Sequence, residues 1–253
     1  MVIFMPNIHS SISFGLVNIP IQMNNIITNN DIAFNQLHKK CSHRIEYIKY
    51  CPKCKKDLKE TDIIKGYQYE KNKYLTFTKE ELNKLKLPNE KEIEVIGFVD
   101  IKEIDPIYYE KSFFLTTLNS SKSYKLFYEA LKETKKVALC KTVIGTKFYY
   151  CILRFNENGI ILTTLYFYEE IHLTNNEINK TINKSELDLA IKLINSLKTN
   201  FTPEKYHDEY QDKIRKAIND KLDGKAIKSS KTKPKKQIND LMKALEKSLK
   251  NVE

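Results

Sequence analysis

The chain has no tryptophan, and only six glycines, seven prolines and five cysteines among its 253 residues. Each scarcity removes a class of protein. The six glycines stand apart from one another, so no glycine-rich loop is available to cradle a nucleotide phosphate. Without tryptophan the strongest stacking platform for single-stranded bases is missing, although 15 tyrosines remain. Five cysteines in a chain of this length, with no visible export signal, argue against a disulfide framework and for reduced thiols or a metal site. The longest apolar runs, Val2-Ile3-Phe4-Met5 and Val95-Ile96-Gly97-Phe98-Val99, fall far short of the roughly 20 residues that cross a bilayer. The first residues also lack a basic region followed by an apolar one. The expected compartment is the cytoplasm, with no membrane partner.

Converging catalytic groups are lacking as well. Glu80-Glu81 and Glu169-Glu170 are neighbours, and adjacent side chains in a helix or strand do not meet on one substrate. Cys140 and Cys151 fall in apolar, strand-like runs with no histidine placed to activate them, so they read as small buried hydrophobes. His172 and His207 read as packing or surface residues. A non-enzyme without an organic cofactor is the expectation.

Positive charge is plentiful. The formal net charge is +11, and its distribution matters more than its total. Residues 39–56 hold seven basic residues and one acidic, and residues 111–154 nine basic and two acidic. Residues 57–110 sum to −4, and residues 225–253 carry nine lysines against three acids. Such concentration favours a polyanion partner over simple solubility.

Periodicity divides the chain. Ile12, Phe14 and Leu16 alternate with small residues, and the pattern resumes at Ile21 and Met23, which predicts two strands joined near Pro20. Asp31–Phe34 and Arg44–Ile48 read as further short strands. Thr78 with Glu81 forms a capping-box pattern for a short helix. Strands are predicted around residues 93–99, 112–117 and 136–144, with a helix over about 121–134 between the last two. Glu157-Asn158-Gly159 marks a hairpin between Phe148–Phe155 and Gly159–Tyr166. The second half is helical: one helix capped near Ser185, and another opened by Thr202-Pro203 and stopped by Gly224. Residues 225–236 have almost nothing to bury and read as a basic linker. Ile238, Leu241, Met242, Leu245 and Leu249 then recur at helical spacing. A 41% hydrophobic content at this length supports one or two domains with a real core.

Two constellations carry chemistry. His38-Lys-Lys-Cys41 and Cys51-Pro-Lys-Cys54 each offer two zinc ligands at the same short spacing, a pattern for a closed structural Zn2+ site, with His43 as the competing fourth ligand. The site would staple a lysine-rich hairpin that cannot build its own core. The second constellation is the basic set: Lys39, Lys40 and Arg44 in the first cluster, Lys111, Lys122, Lys125, Lys141, Lys147 and Arg154 in the second, and Lys231, Lys233, Lys235 and Lys236 in the tail. Lysine heavily outnumbers arginine, which suits point-charge contact with phosphate more than bidentate reading of bases. Charge and cysteines alone would also allow a zinc-ribbon RNA-binding or ribosome-associated protein, whereas an end-processing nuclease lacks its carboxylates.

Ordered strings carry a more specific likeness. Ser11-Ile-Ser-Phe-Gly-Leu-Val-Asn-Ile-Pro20, Gln36-Leu-His-Lys-Lys40, Ile64-Lys-Gly-Tyr-Gln-Tyr-Glu70, Phe98-Val-Asp-Ile-Lys-Glu-Ile-Asp-Pro-Ile-Tyr108 and Phe201-Thr-Pro-Glu-Lys-Tyr-His-Asp-Glu-Tyr210 resemble the prokaryotic Ku proteins, in order and spacing. The resemblance implies an α+β fold: a Ku-type β-barrel core with a DNA-encircling bridge over residues 1–180, a helical arm over 181–224, and a basic tail ending in an amphipathic helix over 225–253. It also implies a homodimeric ring, in the nucleoid, that threads double-stranded DNA ends regardless of sequence. Such a ring recruits an ATP-dependent DNA ligase for non-homologous end joining, with ligase contacts through the terminal helix. By analogy, residues 111–154 would include the bridge. Ile8 and Ser10 stand where the family usually has Trp and Gly, and Glu46 where a basic residue is common. Zinc binding is not carried by the resemblance, because the cysteine set varies in the family.

Overall fold

Strands with one apolar face close on themselves when the register lets the last pair with the first. Here β1 (Ile8–Phe14), β2 (Val17–Asn25), β7 (Glu92–Asp100), β8 (Tyr109–Thr116), β9 (Lys136–Ile144), β10 (Lys147–Asn156) and β11 (Gly159–Leu165) form a closed barrel in the order β1-β2-β8-β11-β10-β9-β7. Between β2 and β7 the chain makes β3 (Tyr50–Cys51), β4 (Lys56–Asp57), β5 (Lys65–Glu70), β6 (Lys73–Phe77) and helix α1 (Lys79–Lys84). Helix α2 (Lys122–Thr134) follows β8, and α3 (Lys184–Ser196) and α4 (Glu209–Leu222) follow the barrel. This computed structural model describes residues 8–85, 92–117, 122–174 and 182–226, and Leu245. The chain divides into two units, Met1–Asn29 with Asn35–Leu173, and Asn30–Phe34 with Thr174–Glu253.

Alternate positions of the staves fill the barrel. Ile12, Ile19, Ile21, Ile93, Leu115, Leu153, Ile160 and Leu162 belong to one buried cluster, and each is almost wholly removed from water. Cys140 and Cys151 face each other across β9 and β10 in the same interior. Burial pushes the Cys140 thiol far above its ordinary range, in keeping with the small buried hydrophobe expected. The first hairpin turns earlier than expected: the join is at Gly15-Leu16, where Gly15 takes a φ of 59°, and Pro20 lies inside β2. Proline is tolerated there because the ladder to β8 starts only at Gln22.

The register defines two ends. Strand β1 pairs antiparallel with β2 and parallel with β7, so residues 26–91 leave and return at one end, shared with the β9–β10 turn. At the opposite end lie the β1–β2 and β10–β11 turns and α2, which plugs the opening. Phe127 and Leu131 of α2 are buried. The Tyr124 hydroxyl donates to the Leu115 carbonyl at 2.7 Å and accepts from the Ile160 N–H at 3.0 Å. The hairpin at Glu157-Asn158-Gly159 forms as predicted, and Gly159 is required: a Cβ there would stand 2.9 Å from Phe114 Cζ.

One expectation is corrected outright. Residues 111–154 supply most of β8, all of β9, most of β10 and the plugging helix, so the basic charge of this span belongs to the barrel wall and its plug. The long excursion is instead residues 26–91. Charge density does not distinguish a wall from an excursion, because the outward positions of a barrel strand are free to be basic. Within the excursion Thr78 and Glu81 close the capping box of α1, as expected. The strand anticipated over residues 44–48 is absent, and Arg44 makes only an isolated bridge with Leu37.

In the second unit the caps move. Asn183, not Ser185, caps α3 by accepting from the Ser185 N–H at 3.2 Å. Thr202-Pro203 opens only a 3-10 turn, Pro203–Lys205. Helix α4 starts later, where the Asp208 carboxylate accepts from the N–H groups of Tyr210 and Gln211. The strand expected over Asp31–Phe34 is also absent; Ile32 donates its N–H to Gln211 Oε1 at 3.0 Å. Neither α3 nor α4 has a buried residue. The tail lysines Lys231, Lys233, Lys235 and Lys236 lie outside the described residues, as does the predicted terminal helix apart from Leu245. No helix among the described residues is long and apolar enough to cross a membrane.

Candidate nucleic-acid interface

A lysine recruits phosphate only if its charge is not already cancelled. On the excursion, Lys39, Lys40, Arg44, Lys53, Lys55 and Lys56 are all exposed, and none pairs with a carboxylate among the described residues. Lys49 alone of this cluster is paired, with Glu60, and the ammonium holds that carboxyl below its ordinary range. The barrel lysines behave differently. Lys141 meets Glu94 at 2.9 Å, Lys136 meets Asp100 at 3.1 Å, Lys111 meets Glu110 at 3.6 Å and Lys147 meets Glu170 at 3.7 Å. The partners of Lys141 and Lys136 lie directly across the β7–β9 ladder. The acidic stretch before residue 111 is therefore folded against the basic stretch after it. Lys122, Lys125 and Arg154 have no carboxylate partner among the described residues, but Lys122 and Lys125 sit on α2, at the end away from the excursion.

The expected metal ligands come together in two pairs. His38 Nδ1 lies 3.0 Å from Cys41 Sγ, in a tight loop closed by His38 N–H to the His43 carbonyl and Ser42 N–H to the His38 carbonyl, both 2.8 Å. In the second loop the Cys54 N–H donates to Cys51 Sγ at 3.4 Å. This bond, with the Cys54 thiol, holds the Cys51 thiol below its ordinary range, and the side-chain hydrogen bond to Cys51, with its charge, raises that of Cys54. The residue after each pair is left-handed, Ser42 at φ 55° and Lys55 at φ 51°. The two loops are thus knuckles of one kind, with Lys55 doing what glycine commonly does. Of the two histidines, it is His38 whose ring reaches a cysteine. Among the described residues, no three His, Cys, Asp or Glu side chains are gathered into one set that could hold a metal ion.

Sequence reasoning missed an apolar cleft of about 800 Å3, lined by Ile63, Ile64, Phe77, Leu82, Val143 and Phe148 among others. These residues come from the excursion and from the β9–β10 hairpin, and no local pattern links them. It also passed over the exposed tyrosines of the excursion, Tyr47, Tyr50, Tyr67, Tyr69 and Tyr74, whose signal was simply their density beside lysine.

Comparison with known proteins agrees with the barrel. A family model described as the Ku70/Ku80 beta-barrel domain matches residues 13–189. A protein of Lachnoclostridium phytofermentans named non-homologous end joining protein Ku is 40% identical over 242 residues, covering 95% of this chain and 94% of the relative. Proteins of the same name from Desulfitobacterium hafniense and Bacillus subtilis are each 38% identical, over 94% of this chain and over 85% and 79% of their own lengths. The closed barrel and this likeness along nearly the whole sequence lead to one conclusion: the chain belongs to the Ku family.

Proposed function

We propose that the protein is a non-catalytic clamp for double-stranded DNA ends: a homodimer whose excursions, residues 26–91, surround the duplex and which brings an ATP-dependent DNA ligase to the break. The observation that carries this reading is the set of exposed cations on the excursion that, among the described residues, pair with no carboxylate, on a segment with no buried residue among those described. Lysines of this kind gain affinity from counterion release and read no bases, so binding is indifferent to sequence. The names of the relatives place them in non-homologous end joining, and the same process is proposed for this chain. The homodimer is supported by α3, whose Leu187, Ile191 and Ile194 stay exposed in the single chain. The tail lysines, Lys231, Lys233, Lys235 and Lys236, add a second set of phosphate contacts.

Competition between DNA forms tests the clamp. A linear duplex competes for the protein at least tenfold better than a closed circle of equal length and sequence, because only an end can enter a ring. Equal competition by circles in a gel-shift assay refutes threading.

A structural Zn2+ held by His38, Cys41, Cys51 and Cys54 is proposed to staple the excursion. Each knuckle presents two ligands on the backbone turn such sites use, and zinc binding would have to draw the two pairs, separate among the described residues, into one set. Zinc here would supply folding energy and no chemistry. Purified protein is expected to contain about one zinc per chain, and Cys51→Ser to lose it and speed proteolysis within residues 36–58 while the barrel melts unchanged. Metal-free wild-type protein that resists proteolysis equally well excludes the site.

A further inference from the structure

The chain enters the excursion almost wholly in solvent: from Asn25 to Tyr50 every residue is exposed except Ile32. That one exception is fastened to the helical arm. The Ile32 N–H donates to Gln211 Oε1 at 3.0 Å, and Gln211 Nε2 donates to Asp31 Oδ1 at 3.3 Å, so one amide side chain uses its acceptor and its donor on two consecutive residues. Gln211 is itself held. Its N–H donates to the Asp208 carboxylate at 3.0 Å in the first turn of α4, and it shares a half-buried stripe of that helix with Ile214 and Ile218. Asn30–Phe34 accordingly groups with the arm and not with the barrel. Ala33, Phe34 and Asn35 alone separate Ile32 from Gln36, whose carbonyl accepts from the Ile45 N–H at 3.1 Å and closes the loop that carries Lys39, Lys40 and Arg44.

We infer that Gln211 is a positioning residue for DNA retention: by pinning Asp31 and Ile32 to α4 it presets the first cationic loop for the duplex. The inference rests on the reading that the excursion holds a DNA end. Phosphate contact orders a loose loop at the cost of its conformational freedom, and a loop ordered before binding loses less. The gain therefore appears as slower release and not as another phosphate contact. Gln211 carries no charge, so it neutralises no phosphate and leaves the slope of log affinity against log salt unchanged. The side-chain chemistry is specific. Glutamate at this position would accept from Ile32 but face the Asp31 carboxylate, and alanine would make neither bond. The polarity can nevertheless be exchanged: with Asp31→Asn and Gln211→Glu together, the new carboxylate accepts from the Ile32 N–H and from the new amide, and both bonds return at unchanged net charge.

The test compares the full wild-type chain, Gln211→Ala, and the exchange variant Asp31→Asn with Gln211→Glu, all of equal net charge, on a linear duplex. Gln211→Ala is expected to release the duplex about five- to tenfold faster, with salt slope, dimer mass and barrel unfolding temperature unchanged, and to lose hydrogen-exchange protection at the Ile32 amide. The exchange variant is expected to regain both the lifetime on DNA and the protection to within about twofold. Release by Gln211→Ala within about twofold of wild type overturns the inference. Dissociation of Gln211→Ala into monomers overturns it too, by giving Gln211 a place in the dimer seam, and so does an exchange variant that regains the protection without the lifetime. If the wild-type protein holds a linear duplex no longer than a closed circle of equal length, the clamp reading fails and the inference with it, a result distinct from failure of the tie, which the Ile32 amide reports separately.

Discussion

Replacing Lys39, Lys40, Arg44, Lys53, Lys55 and Lys56 by glutamine is expected to lower affinity for a linear duplex by roughly two to four orders of magnitude near physiological salt. Each phosphate neutralised contributes a slope of about −0.9 to log affinity against log salt, so loss of all six contacts flattens the plot by about 5. The control is the barrel set, Lys111, Lys136, Lys141 and Lys147. Each already stands within 4 Å of a carboxylate and releases few counterions on meeting DNA, so the same replacement there is expected to cost less than about tenfold. Anisotropy titrations at several salt concentrations compare the two sets. An equal slope change in both would return the barrel wall to the DNA and remove the excursion's special standing.

The second large effect concerns the helical arm. Ile191→Asp with Ile194→Asp is expected to convert the dimer to monomer at micromolar concentration. Each isoleucine taken into an interface contributes about 1.5–3 kcal/mol, and a buried, unpaired carboxylate costs several more. A total of at least about 5 kcal/mol raises the dissociation constant by more than about three orders of magnitude. Sedimentation reads the mass, and retention on linear DNA should fall with it. Thermal unfolding of the barrel should not change, because no residue of α3 is buried in the single chain. A variant that remains dimeric shows that the seam lies elsewhere, and the apolar cleft beside Ile63 and Phe148 becomes the next surface to test.

Much of the fold was legible because its signals are local. Thr78 and Glu81 sit three residues apart, and their reciprocal hydrogen bonds need nothing beyond that turn. The Asn158-Gly159 hairpin and the helix over residues 122–134 follow equally from neighbours. The failures have a common cause in competition between nearby signals. Pro20 marked a break, yet an incomplete ladder on one side let the strand run through it. Thr202-Pro203 is a sound helix start, but Asp208 offers a charged cap that accepts two N–H groups, and the helix begins there.

The sequence by itself determined the barrel's alternating apolar staves, the family through its ordered strings, and the spacing of His38, Cys41, Cys51 and Cys54, since each depends on residues close along the chain. Only the tertiary structure decided which cations remain available to phosphate. Glu94 and Asp100 belong to one segment and Lys141 and Lys136 to another, and counting charges along the chain cannot show that a ladder sets them face to face. Coulomb interaction depends on distance in space. The excursion therefore keeps its positive charge, and the equally basic barrel wall has already given much of its charge up.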